Sequence, residues 1–324
     1  MSLPLVLNTH SLPFESQEAA DEGVLEFINV FHRCARYGYN ILLRSPEVDP
    51  DLMYVMLADQ YSFQNWYSHA RQSPSQRDIT RKFRSIATRP LFDGVELPEE
   101  LEAGLKDNDE RSDVLLAAHH HDTFLCSFSS HESWTGFTVQ GWVLDLMVEG
   151  DADQLKDKDF PNLSTGDSLS HHEPAMEQTR NNQLSRGRDI LTERETFFPK
   201  LFFLENQIGQ ALRRWTHRAD ILPAARSAML VLNEFAQKWE NGELADYQHR
   251  YLSDLGLQAE VSGESESVRT TPKKRNERMF NLDDGRCVFC ENHVKLPSGF
   301  RLHFYPDTAN KQIILAYLGP HLTL

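Results

Sequence analysis

Near the end of the chain six side chains can move a proton or offset the charge of a phosphate: His293, Lys295, Arg301, His303, Tyr305 and His321. A phosphodiester cleaved by its own ribose 2′-hydroxyl needs a base, an acid for the leaving oxygen, and cations for the charge that builds on phosphorus. No metal is required. Histidine suits either proton role because its unperturbed pKa lies near neutrality. His321 is therefore the expected proton carrier, and Arg301 and Lys295 the expected charge stabilisers. His303 and Tyr305 complete the catalytic set, and His293 is an expected nucleic-acid contact. The same residue types equally suit the polar, solvated face of a stabilising sheet.

Strands must carry these residues. "GFRLHFY" and "KQIILAYLG" alternate in polarity and are joined by "PDTAN", which predicts a hairpin. Phe300, Leu302 and Phe304 then point one way and Arg301, His303 and Tyr305 the other. Upstream, "RMFNL" and "RCVFCE" flank Asp283-Asp284-Gly285, a strong hairpin turn signal.

The stretch "GFRLHFYPDTANKQIILAYLGPHL" resembles the closing hairpin of the RelE superfamily of bacterial toxins, mostly mRNA endonucleases that act with or without the ribosome. The resemblance covers about 45 residues. It implies a small antiparallel sheet, a terminal catalytic histidine at His321 and an RNA-contacting strand arginine at Arg301. The helical pair expected just before such a sheet is missing. The whole chain also loosely resembles uncharacterised bacterial proteins associated with phage defence.

Charge is unevenly distributed. The formal net charge of -15 excludes a protein coated all over for nucleic acid, yet residues 67–92 hold six Lys or Arg against one acid. Arg77, Arg81 and Arg84 fall at i, i+4 and i+7 of a predicted helix over 76–88, so three guanidinium groups line one side and are candidate nucleic-acid contacts. They could equally pair with the acidic run at 93–113. Cys287, Cys290 and His293 have a spacing seen in zinc sites, but strand alternation points the two cysteines to opposite faces. His119, His120 and His121 cannot converge on one ion from a helix. No metal and no cofactor are expected.

The predicted fold class is α+β: a helical N-terminal region over 1–110, a mixed middle with a short sheet over 111–257, a polar linker over 258–277, and a RelE-like antiparallel meander over 278–324. Helices are expected at 24–43, 52–70, 200–216 and 224–240, strands in "DTFLCSFSS" and "GFTVQGWVLDLMV", and loop over 149–183. Four cysteines in 324 residues, no signal segment and no long apolar run predict a cytoplasmic protein with no membrane partner. The functional expectation is a bacterial defence or toxin-type effector whose terminal sheet binds RNA, with RelE-like cleavage by metal-independent acid–base chemistry open. The alternative is a non-catalytic adaptor that binds nucleic acid, RNA or DNA, or protein. Expected partners are RNA, including ribosome-associated RNA, other subunits of a defence operon, or an antitoxin-like regulator.

Overall fold

Two apolar runs, "LPLVLN" and "YNILLR", organise the first half of the chain. In β1 (Leu3–Asn8), Leu5 and Leu7 enter one apolar layer and Val6 the other. A strand buried on both faces reads as a continuous apolar run and belongs in a parallel sheet. The computed structural model of the protein describes residues 2–45, 48, 50–87, 92–106, 110–146, 155–282 and 284–322. These form two compact units, residues 2–179 and 180–324, and the chain is of mixed α and β class. Among the described residues no helix is long and apolar enough to cross a membrane.

In the first unit, β1 is followed by α1 (Gln17–Cys34), β2 (Tyr39–Arg44), β3 (Met56–Ala58), β4 (Tyr61–Ser62), α2 (Phe63–Ala70), α3 (Arg77–Ala87) and β5 (Phe92–Gly94). Then come β6 (Leu101–Leu105), α4 (Asp113–His120), β7 (Leu125–Ser127), β8 (Thr138–Asp145), β9 (Leu155–Leu163) and α5 (Gly166–Gln183). Seven strands form one sheet in the order β5-β2-β1-β7-β9-β8-β6, with β5 through β9 parallel and β8 and β6 antiparallel. Residues of α1, α2 and α3 pack on one face, and α4 on the other.

Several expectations are corrected here. The N-terminal region is not simply helical. The Ser16 hydroxyl accepts from the Ala19 amide and starts α1, Gly38 ends the following turn at φ 89°, and "YNILLR" becomes β2. Residues 52–70 hold two short strands before α2. The stretch 149–183 is not loop: where described, it forms β9 and α5. α5 buries little besides Leu169 and Met176 among its apolar residues, so its helical period is faint in the sequence. The helix over 77–87 and the strands β7 and β8 lie where the sequence puts them; Thr88 to Leu91 lie outside the described residues.

The second unit holds a five-stranded sheet in the order β10-β16-β15-β14-β11: β10 (Leu201–Phe203), β11 (Val261–Ser262), β14 (Asn292–Lys295), β15 (Phe300–Asp307) and β16 (Gln312–Pro320). β14, β15 and β16 form an antiparallel meander, and β10 joins β16 in parallel. One face, with Val294, Phe300, Leu302, Phe304, Ile313 and Leu315, packs against the helix Leu222–Glu240. The opposite face is covered too. β12 (Met279–Asn281) and β13 (Cys287–Phe289) pair as a hairpin and bring Phe280, Val288 and Cys290 against Ile314 and Ala316. Of the expected turn between them, Asp283 lies outside the described residues.

Two further corrections concern this unit. Residues 200–216 are β10, a π-helical turn Glu205–Gly209 and the short helix Gln210–Arg214, because β10 takes up the β16 edge. The expected linker over 258–277 is folded: it contains β11 and the short helices Glu266–Thr270 and Pro272–Asn276, with Glu264 and Val268 buried.

Candidate functional site

Cross-strand register assembles the imidazoles. On β11, β14, β15 and β16 the residues Ser262, His293, His303 and Tyr317 stand opposite one another in a single row. The next row pairs Lys295 with Arg301 and Arg301 with Gly319. A register shift between His303 and Phe304 leaves Ala316 unopposed, so Tyr317 turns toward His303, with ring centroids 5.7 Å apart. The His293 and His303 rings lie 4.9 Å apart, and the His293 and His321 rings 6.5 Å.

The residues covering this row come from the segment expected to be a linker. Glu264 and Arg278 are both buried, and Arg278 Nε donates to Glu264 Oε1 at 2.6 Å. Arg278 Nη1 donates to the Lys274 carbonyl at 2.9 Å, and Glu277 lies 3.8 Å from the same nitrogen. His293 Nδ1 is 3.7 Å and His303 Nδ1 4.0 Å from Glu264 Oε1. Ser262 Oγ is within 3.1 Å of His293 Nε2, and the Cys290 carbonyl within 3.3 Å of His303 Nδ1. Glu264, His293 and His303 are the three side chains here whose donor atoms lie close enough to share one metal ion.

Burial decides which imidazoles can exchange protons with a substrate. His303 is 1 % exposed and its pKa is pushed down to about 3, chiefly by burial and then by the neighbouring His293. Burial lowers the pKa of His293 as well, with Glu264 opposing. Both rings are therefore neutral near pH 7 and covered. His321 is half-buried, beside Leu322 O. Arg301 is half-buried, donates from Nη1 to the Phe300 carbonyl at 2.8 Å, and has an unpaired Nε. Lys295 is tied to Glu260 in a short ion pair. Tyr305 lies further along β15 and packs beside the Phe280 and Ile314 cluster, away from the histidines.

Comparison of the chain with protein-family models, with curated proteins and with solved structures gives no match in any of the three. The site must be read from its own chemistry.

At the end of the sheet where β15 begins and β16 finishes, charge and aromatic surface meet. Arg214 lies over the Trp215 ring at 4.6 Å, and Arg218 lies over both Trp215 at 5.6 Å and Phe300 at 5.0 Å. Trp215 meets Phe300 edge to face at 5.3 Å. Arg218 grips Asp220 through two hydrogen bonds, and Ser298 donates to the same carboxylate. Asp220 and Glu260 thus occupy Arg218 and Lys295, while among the described residues neither Arg214 nor Arg301 makes an ion pair. His321, whose amide donates to the Gly299 carbonyl, belongs to the same end.

Sequence reasoning missed Glu264, Arg278, Arg214, Trp215 and Arg218. Glu264 and Arg278 sit in or beside a stretch whose composition signals solvent, and only "RRW" at 213–215, two cations next to an aromatic, gave a usable hint. In the other unit Arg77, Arg81 and Arg84 are exposed on α3 without an ion pair among the described residues, although Lys82 pairs with Asp78.

The first unit offers a second crevice. The strand order reverses between β1 and β7, the usual place for a ligand in a parallel sheet. Asn8 Nδ2 donates there to Ser127 Oγ at 2.8 Å, and Ser127 Oγ to Asn162 Oδ1 at 2.5 Å. Asn162 donates in turn to the Trp134 and Gly136 carbonyls. These groups are spent on one another and fasten strand ends. A largely apolar cavity of about 600 Å³, lined by Leu12, Val55, Met56 and Asp59 among others, adjoins the residues after β1.

Proposed function

We propose that this protein binds single-stranded RNA through the cationic and aromatic end of its C-terminal sheet, as a non-catalytic component of a bacterial defence assembly. The observation that carries the reading is Arg214, which lies over Trp215 and makes no ion pair among the described residues, at the end of the sheet where β15 also carries Arg301. Guanidinium groups neutralise phosphates, and an aromatic face stacks bases without regard to sequence. The preference for RNA rests on the resemblance of residues 299–322 to the RelE closing hairpin, and the defence context with its partner subunits on the looser resemblance of the whole chain to bacterial proteins associated with phage defence.

Cleavage is the weaker reading. Acid–base scission of a phosphodiester uses two proton-transfer groups. Of the three imidazoles on this sheet only His321 is half-exposed, while His293 and His303 are neutral and covered. The exposed row of Arg77, Arg81 and Arg84 supplies a second cationic face, on the first unit.

The test is to incubate the full chain with labelled mRNA, with and without ribosomes and with EDTA present. Retarded, intact RNA is expected, with retardation weakened in Arg301→Ala and Arg214→Ala. Cuts that disappear in His321→Ala would overturn the non-catalytic reading, and no retardation at low salt would overturn RNA binding itself.

A further inference from the structure

Three side chains from separate segments turn their donor atoms toward one point beneath the sheet. We propose that Glu264, His293 and His303 form a zinc site that staples the segment over 264–278 to β14 and β15. The inference is independent of RNA binding.

The spacing suits one ion. His293 Nδ1 and His303 Nδ1 stand 3.7 Å and 4.0 Å from Glu264 Oε1, too far for hydrogen bonds. Two donors bound to one zinc at about 2.0–2.2 Å are separated by about 3.3–3.6 Å, so a contraction of a few tenths of an ångström brings Glu264 to either imidazole, and the three donor atoms all lie within 4.8 Å of one another.

Satisfaction of polar groups points the same way. His293 is 5 % exposed, and its Nδ1 makes no well-formed hydrogen bond, with the Glu291 backbone its nearest alternative. A buried nitrogen left in this state is unfavourable, and a cation supplies a partner. The opposite nitrogen of the same ring faces Ser262 Oγ, which fixes the ring so that Nδ1 is aimed at Glu264. Arg278 holds the carboxylate from behind. Ligand-orienting contacts of this kind accompany metal sites generally.

Charge permits a dication. Glu264 and Glu277 balance Arg278 and the nearby Arg301, so the guanidinium beside Glu264 does not by itself exclude a metal. In the metal-free protein His303 Nδ1 donates to the Cys290 carbonyl. Zinc at Nδ1 would move that ring proton to Nε2, so the neutral ring binds without net proton release and gives up the hydrogen bond to Cys290. Cys287 is exposed on the far side of its strand from buried Cys290, and the donor set is nitrogen and oxygen, not thiolate.

The experiment uses the full chain stripped with a chelator, dialysed, and titrated with zinc chloride against a chromophoric competitor. One zinc per chain and a raised Tm are expected. Cobalt in place of zinc should give visible bands without a near-ultraviolet thiolate band. Glu264→Gln and His293→Asn should abolish stoichiometric uptake. Ser262→Ala, which leaves the donor set and the fold in place, should weaken it about 10-fold or more. Wild-type protein that takes up no zinc and shows no change in Tm would overturn the site, as would a cobalt–thiolate band lost in Cys287→Ser.

Discussion

The guanidinium of Arg278, with no exposed surface, donates to Glu264 at 2.6 Å across a gap of fourteen residues. Two opposite charges have been taken out of water together, and each depends on the other.

Removing one partner strips the other of its shortest charge-assisted hydrogen bond while it stays buried. Arg278→Met and Glu264→Leu should each cost about 3–5 kcal/mol in urea unfolding of the metal-stripped protein. The double variant should cost clearly less than the sum, because no charge then remains buried. Additive losses would mean that the two groups do not rely on each other.

Asp307, in the β15–β16 hairpin, accepts from Arg286 Nη2 at 2.8 Å, from Asn310 Nδ2 at 2.8 Å and from the Ala309 amide. Arg286 foremost holds this carboxyl below the usual carboxylate range. The unfolded chain takes up its proton near pH 3.9, about where a free aspartate titrates, while the folded chain stays ionised there. The stabilisation is therefore complete above that pH and is lost as pH falls through it toward the lower folded value. Asp307→Asn should lower stability at pH 7 by about 1–3 kcal/mol. It should also flatten the acid side of the stability profile, measured by urea midpoints between neutrality and pH 3. An unchanged acid slope would contradict this role.

The sequence was most legible where the residue pattern and the packing agree. The β15–β16 hairpin has period-two alternation and a polar turn, and Phe300, Leu302 and Phe304 do enter one core. It was least legible where charged residues carry the burial. In the expected linker the inward-facing groups include Glu264 and the adjoining Arg278, with Val268 the one fully buried apolar side chain, so composition alone reads as solvent. That misreading propagated to the site. Alternation correctly placed Arg301 and His303 on the face away from Phe300, but nothing in β15 shows that β12, β13 and the 264–278 segment cover that face. β2 was obscured for another reason: "YNILLR" follows α1 so closely that Tyr37 and Ile41 also fit a continued helical spacing.

Gly187 starts the short helix Gly187–Thr192, and a Cβ there would stand 2.1 Å from the Leu212 carbonyl oxygen. Glycine is needed for this close backbone approach. Alanine in a helix normally stabilises by about 0.5–1 kcal/mol relative to glycine. Gly187→Ala should instead destabilise by about 1–3 kcal/mol, since backbone must shift to admit the methyl group. A urea midpoint equal to or above that of the wild type would show that the two segments can part at little cost.

The most direct measurement of the central claim is the salt dependence of affinity for a fluorescently labelled single-stranded RNA, followed by anisotropy on the full chain. The wild type should bind with log K falling linearly in log salt, at a slope of about -2 for roughly three phosphates. Arg214→Ala combined with Arg301→Ala should make that slope shallower by about 1.4, the contribution of two phosphate contacts on a single strand. Absence of binding at low salt, or an identical affinity and slope in the double variant, would contradict the RNA-binding end of the sheet.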